Sequence, residues 1–122
     1  MEFRVYRCSH CGNLAFKLVD SGVPMFCCGQ EMDELAPNTT DGAFEKHVPV
    51  LTKEGDKVTV KVGSQPHPMV PEHYIQVIAA VADDTMTIRF PKPGEAAELN
   101  CVLPGVTDAY EFCNLHGFWK SK

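Results

Sequence analysis

Nowhere in the 122 residues is there an apolar run approaching the roughly 20 needed to cross a bilayer. The chain is therefore expected not to enter a membrane. The opening residues, MEFRVYRCSHCG, lack the apolar stretch and small-residue cleavage site of a secretory signal, so the expected compartment is the cytoplasm. Basic residues are in short supply. Eleven Lys and Arg face sixteen Asp and Glu, a net charge of −5, and a nucleic-acid partner, which calls for a basic face, is excluded on that ground. No stretch carries the 3.6-residue periodicity of a strong amphipathic helix, and no segment repeats. The composition, 44% apolar and 22% charged, is that of a folded globular chain and not a disordered one. The length fits one ordinary domain, or one domain with a small appendage.

What the chain has in excess is cysteine and histidine, six and five. In a secreted protein six cysteines would suggest a disulfide framework; without an export signal the thiols stay reduced and metal binding is the better use. Cys8, Cys11, Cys27 and Cys28 crowd the first quarter, whereas His47, His67, His73, Cys113 and His116 follow it. Two metal sites are expected, one rich in sulfur and one in nitrogen.

Residues 1–36 read as a first unit: a strand over Phe3–Tyr6, a Cys-x-x-Cys-Gly knuckle, a strand over Leu14–Val19, a turn at Gly22 and Pro24, and a second knuckle at Cys27, Cys28 and Gly29. A piece this small rarely folds without a metal, a disulfide or a partner, so its cysteines are expected to hold it together. The polar run Asn38-Thr-Thr-Asp-Gly42 marks a boundary, and residues 37–122 form the second domain. There the pattern is β. Val48–Leu51, Lys57–Val62, Tyr74–Val81, Thr85–Phe90, Ala97–Leu103 and Ala109–Phe112 are short and mostly β-branched or aromatic, and Lys57-Val-Thr-Val-Lys-Val62 alternates with period two. The spacing predicts an antiparallel sandwich of about seven strands.

Four thiolates in the order Cys8-x2-Cys11-x15-Cys27-Cys28 suit zinc or a single iron, and spacing alone does not choose between a structural zinc and a one-electron iron centre. Adjacent side chains on an extended strand point to opposite faces, so the chain must turn sharply between Cys27 and Cys28 for both sulfurs to meet one ion. His10, inside the first knuckle, reads as a solvent-facing loop residue.

The second constellation sits in strand-flanking loops punctuated by Pro and Gly, where a rigid sandwich displays a site. His47 lies in Glu45-Lys-His-Val-Pro49, His67 and His73 in His67-Pro-Met-Val-Pro-Glu-His73, and Cys113 and His116 in Cys113-Asn-Leu-His116-Gly. Imidazole and thiolate suit iron, copper and zinc. Five protein ligands are one more than a tetrahedral structural zinc uses, and they leave one position of a six-coordinate iron open. A thiolate opposite that position would push electron density toward whatever binds there.

These motifs together resemble the superoxide reductases of the two-iron desulfoferrodoxin type. Cys8-x2-Cys11-Gly with Cys27-Cys28 is similar to the desulforedoxin-like domain. Glu45-Lys46-His47-Val48-Pro49, His67-Pro68-Met69, His73-Tyr74-Ile75 and Cys113-Asn114-Leu115-His116-Gly117 are similar to the neelaredoxin-like catalytic domain. The resemblance implies a small metal-knuckle domain followed by an immunoglobulin-like β-sandwich, and one-electron reduction of superoxide to hydrogen peroxide without release of dioxygen. It implies two iron ions per chain, with zinc an alternative in the four-cysteine site. His47, His67, His73 and His116 would be the equatorial ligands of the catalytic iron and Cys113 its axial thiolate. Glu45 would be the sixth ligand in the ferric state and Lys46 the cation beside the open site. Rubredoxin or a similar small redox protein would supply electrons, and the protein would be a homodimer. Cys101 belongs to no ligand pattern and reads as a small buried hydrophobe.

Overall fold

The structure, a computed structural model, describes residues 1–40 and 46–122. It contains strands and turns and, among the described residues, no helix; no helix long and apolar enough to cross a membrane is present. The chain divides into two compact units, Glu2–Ala36 and, with Met1, Pro37–Lys122.

The smaller unit is built from very short strands. β1 (Val5–Arg7), β2 (Leu14–Phe16) and β5 (Asp33–Glu34) form one antiparallel sheet in the order β2-β1-β5, and β3 (Phe26–Cys27) pairs with β4 (Gln30–Glu31). Its apolar interior amounts to little more than Phe3 and Val5, with Phe3 packed on Phe16 at a ring-centroid distance of 5.4 Å. The strand expected to run on to Val19 stops at Phe16. Leu18 and Val19 are 90% and 87% exposed, so burial offers nothing to extend the ladder. Outside the sheet, Arg4 donates two hydrogen bonds to the Glu34 carboxylate, at 2.9 and 2.8 Å.

The larger unit is a sandwich of seven strands. β6 (Pro49–Glu54), β7 (Lys57–Val62) and β10 (Glu98–Val102) form a three-stranded sheet in the order β10-β7-β6. β8 (Ile75–Val81), β9 (Met86–Arg89), β11 (Asp108–Cys113) and β12 (Gly117–Lys120) form a four-stranded sheet in the order β12-β11-β8-β9. The period-two pattern of β7 sends Val58, Val60 and Val62 inward, where Val60 is flanked by Leu51 and Leu99 on the neighbouring strands. Ile75, Ile78, Ala80, Ala109 and Cys113 close the core from the other sheet. Burying each of the valines and isoleucines contributes about 1.5–3 kcal/mol. Cys101 is half-buried and packs against this core. β12, not foreseen as a strand, returns from β11 by a tight turn and lays Phe118 against Tyr110, their rings stacked 5.5 Å apart.

Register places the loops. Pro49, at the start of β6, pairs with Val62 at the end of β7. Cys113, at the end of β11, pairs with both Ile75 at the start of β8 and Gly117 at the start of β12. All segments carrying the clustered histidines and Cys113 therefore emerge at these strand ends. The β8–β11 ladder shifts register between Phe112 and Cys113, a local bulge of the kind that re-aims a side chain beside a site.

Candidate metal centres

In the small unit the fold gathers Cys8, Cys11, Cys27 and Cys28, with sulfurs within 4.8 Å of one another. Cys11 Sγ and Cys27 Sγ are 3.6 Å apart, and Cys27 Sγ and Cys28 Sγ 4.0 Å. Sulfurs at tetrahedral corners about 2.3 Å from one ion stand about 3.8 Å apart, so the set fits a single cation. The sharp turn needed between the adjacent cysteines is present: Cys28 has φ +53°, the single non-glycine residue with positive φ among those described. That conformation costs an L-residue about 1–2 kcal/mol. The backbone amide of Cys11 points at Cys8 Sγ from 3.5 Å and helps hold that thiol down to about 6. The Cys28 thiol, beside the Cys11 and Cys8 sulfurs, is pushed up to about 12. Four sulfurs this close cannot all ionise unless a cation sits among them. His10 is exposed.

In the sandwich the fold gathers His47, His67, His73, Cys113 and His116, again within 4.8 Å. The four imidazoles close a ring: centroid distances are 4.6 Å from His47 to His67, 4.7 Å from His67 to His73, 5.0 Å from His73 to His116 and 4.8 Å from His116 to His47. Each ring meets its neighbours edge-on, at 66° to 83°. His67 and His116 occupy opposite corners, and Cys113 Sγ is 3.7 Å from His67 Nε2 and 3.8 Å from His116 Nδ1. A sulfur about equally far from two opposite corners lies near the plane that bisects the ring between them. His47 Nε2 and His67 Nε2 are 2.9 Å apart, matching the roughly 3.0 Å between two nitrogens at right angles about 2.1 Å from one ion. The four imidazoles and the Cys113 thiolate are thus close enough together to serve one metal ion.

Several residues outside the donor set fix it. His67 Nδ1 donates to the Pro68 carbonyl at 2.7 Å, which leaves the Nε2 lone pair for a metal. Val70 and His73 exchange two backbone hydrogen bonds, 3.1 and 3.0 Å, around Pro71 and Glu72, and this tight turn presents His73. Asn114 ties that turn to the Cys113–His116 loop: its Nδ2 donates to Glu72 O at 3.0 Å and its Oδ1 accepts from Tyr74 N at 2.9 Å. Trp119 stacks on His47, centroids 4.9 Å apart and planes 16° from parallel, while its indole N–H donates to His116 O at 3.1 Å. Sequence reasoning passed over the Asn114 side chain and Trp119. The one available signal was that Trp119 is the chain's sole tryptophan, three residues after His116. Lys46 is half-buried just before His47. Glu45 lies outside the described residues.

A family model for desulfoferrodoxin matches residues 39–122. The chain belongs to the desulfoferrodoxin family. A desulfoferrodoxin from Nitratidesulfovibrio vulgaris is 43% identical over 122 residues, covering 99% of this chain and 97% of that protein. One from Desulfarculus baarsii is 42% identical over 123 residues, with the same coverage of 99% and 97%. Among solved structures, the superoxide reductase from Treponema pallidum superposes with a TM-score of 0.82 at 31% identity, covering 99% of this chain and 98% of that one. The chain therefore shares the superoxide reductase fold.

Proposed function

We propose that the chain is a superoxide reductase in which His47, His67, His73, His116 and Cys113 hold the catalytic iron and Cys8, Cys11, Cys27 and Cys28 hold a second ion. The observation that carries this reading is the ring of four imidazoles with Cys113 Sγ close to two of its opposite corners. Five protein donors would leave one position of a six-coordinate ion to something other than these side chains. Iron held by these residues would supply one electron, and the Cys113 thiolate would raise its electron density.

The rest falls to the protein. Superoxide takes up one electron and two protons to become hydrogen peroxide. A protein of net charge −5 repels the anion at long range, so a local cation is needed at the mouth of the site, and Lys46 is assigned that part. Lys46 attracts the anion and orients a water that delivers a proton, so that peroxide leaves with its O–O bond intact. Glu45 would offer its carboxylate as a further ligand to the oxidised iron. An external donor of the rubredoxin kind returns one electron per turnover, which separates this chemistry from dismutation. The four-cysteine unit is assigned as a desulforedoxin-like iron site, zinc being the alternative, and the protein as a cytoplasmic homodimer.

Metal content and the ultraviolet–visible spectra of oxidised and reduced protein test the assignment together. Two irons, with a thiolate-to-iron absorption lost in Cys113→Ser, support it. Zinc in the sandwich, or a colourless protein from an iron-replete host, refutes it.

A further inference from the structure

Gly63, itself buried, opens the turn after β7 at φ +79°, and among the described residues it alone of the positive-φ glycines backs onto other main chain. A Cβ built there would stand 2.2 Å from the Lys46 carbonyl oxygen and 2.9 Å from both the Lys46 carbonyl carbon and Cβ. These are backbone atoms and the root of a side chain, so no rotation of a flexible tip relieves the collision. Relief requires backbone to shift, either in the Gly63 turn or in the Lys46 segment, which carries His47 directly behind it.

We infer that Gly63 is a positioning residue for the reaction: its missing side chain is the seat on which the Lys46 main chain rests, and it sets where the Lys46 cation and the His47 imidazole stand. The inference rests on the assignment of Lys46 above. It differs from an ordinary turn requirement because two separate costs are present, and they can be divided. Gly55 supplies the comparison. It opens the Gly55-Asp56 turn of the β6–β7 hairpin at φ +63°, with nothing within 4 Å of a built Cβ. Substitution at Gly55 therefore incurs the strain of positive φ and no collision.

The test uses the iron-loaded full chain. Gly63→Ala and Gly63→Asn are compared with Gly55→Ala and Gly55→Asn; asparagine tolerates positive φ, so it removes most of the strain and keeps the added Cβ. The first readout is amide hydrogen exchange in the peptide spanning Lys46 and His47. The expected result is at least about tenfold faster exchange there in both Gly63 variants and none of this change in either Gly55 variant. The second is the rate at which superoxide oxidises the reduced protein. Both Gly63 variants should slow about tenfold, the low end of the range for lost electrostatic steering. The double variant Lys46→Ala with Gly63→Asn should be no slower than the slower single variant. Rescue by Gly63→Asn, or exchange near Lys46 equal to wild type, would overturn the inference. A Lys46→Ala variant as fast as wild type would overturn the role of Lys46 instead, and the exchange measurement would still decide the seat.

Discussion

Asn114 offers the most demanding check on how the nitrogen-rich site is held. Its amide spans two loops, giving a hydrogen bond of 3.0 Å to Glu72 O and taking one of 2.9 Å from Tyr74 N, on either side of His73. Each such bond contributes about 1 kcal/mol net. Asn114→Ala removes both while leaving the Cys113 and His116 backbone in place, a loss of about 2 kcal/mol in the energy that docks the His73 turn. At about 1.4 kcal/mol per factor of ten, the ring should release metal about 30-fold more readily. The assay is competition for iron between the protein and a chelator, followed through the thiolate-to-iron absorption of the sandwich site. Leu115→Ala is the control, since Leu115 is 60% exposed and makes no comparable bond. If Asn114→Ala holds iron as wild type does, or if Leu115→Ala loses it equally, the cross-brace explanation is wrong.

Other outcomes follow from the same geometry. Trp119→Phe keeps a ring on His47 and drops the hydrogen bond to His116 O, so it should weaken iron retention less than Trp119→Leu, which loses both; chelator competition ranks them. Cys28→Ser should alter the absorption of the four-cysteine site and leave peroxide production by the sandwich intact, as a superoxide assay would show. The Glu34 carboxyl is held below its ordinary 4.5 by hydrogen bonds from Arg4, and Asp20 below 3.8 by the Gly22 amide and Lys17. Carboxyls depressed in the folded state add stability that is present above their unfolded values and lost as pH falls through the folded ones. Acid unfolding of the small unit should therefore steepen below about pH 4.5, and Glu34→Gln should flatten that slope in a circular-dichroism titration.

Much of this was legible in the letters because two periodicities and two spacings carry it. Lys57–Val62 alternates and becomes β7 with Val58, Val60 and Val62 inward. The adjacency of Cys27 and Cys28 demanded a sharp turn, and Cys28 makes it with a positive φ. What stayed hidden depends on contacts between distant segments. β12 is too short and opens on a glycine, so Gly117–Lys120 carried no strand pattern of its own; pairing with β11 creates it. The register shift at Phe112 and Cys113 is a property of two strands together. The role of the Asn114 side chain depends on partners 40 and 42 residues away, which no local pattern reveals. Gly63 carries no signal in the sequence; only the Lys46 carbonyl against it shows why a side chain is excluded.

The central claim is that one superoxide becomes one peroxide at the imidazole ring, with no dioxygen formed. The direct measurement is stoichiometric: pre-reduced, iron-loaded protein is mixed with substoichiometric superoxide, and peroxide, dioxygen and oxidised iron are counted. The account predicts one peroxide and one oxidised iron per superoxide, with no dioxygen above the non-enzymatic background. Half a peroxide and half a dioxygen per superoxide, with the iron still reduced, would contradict it.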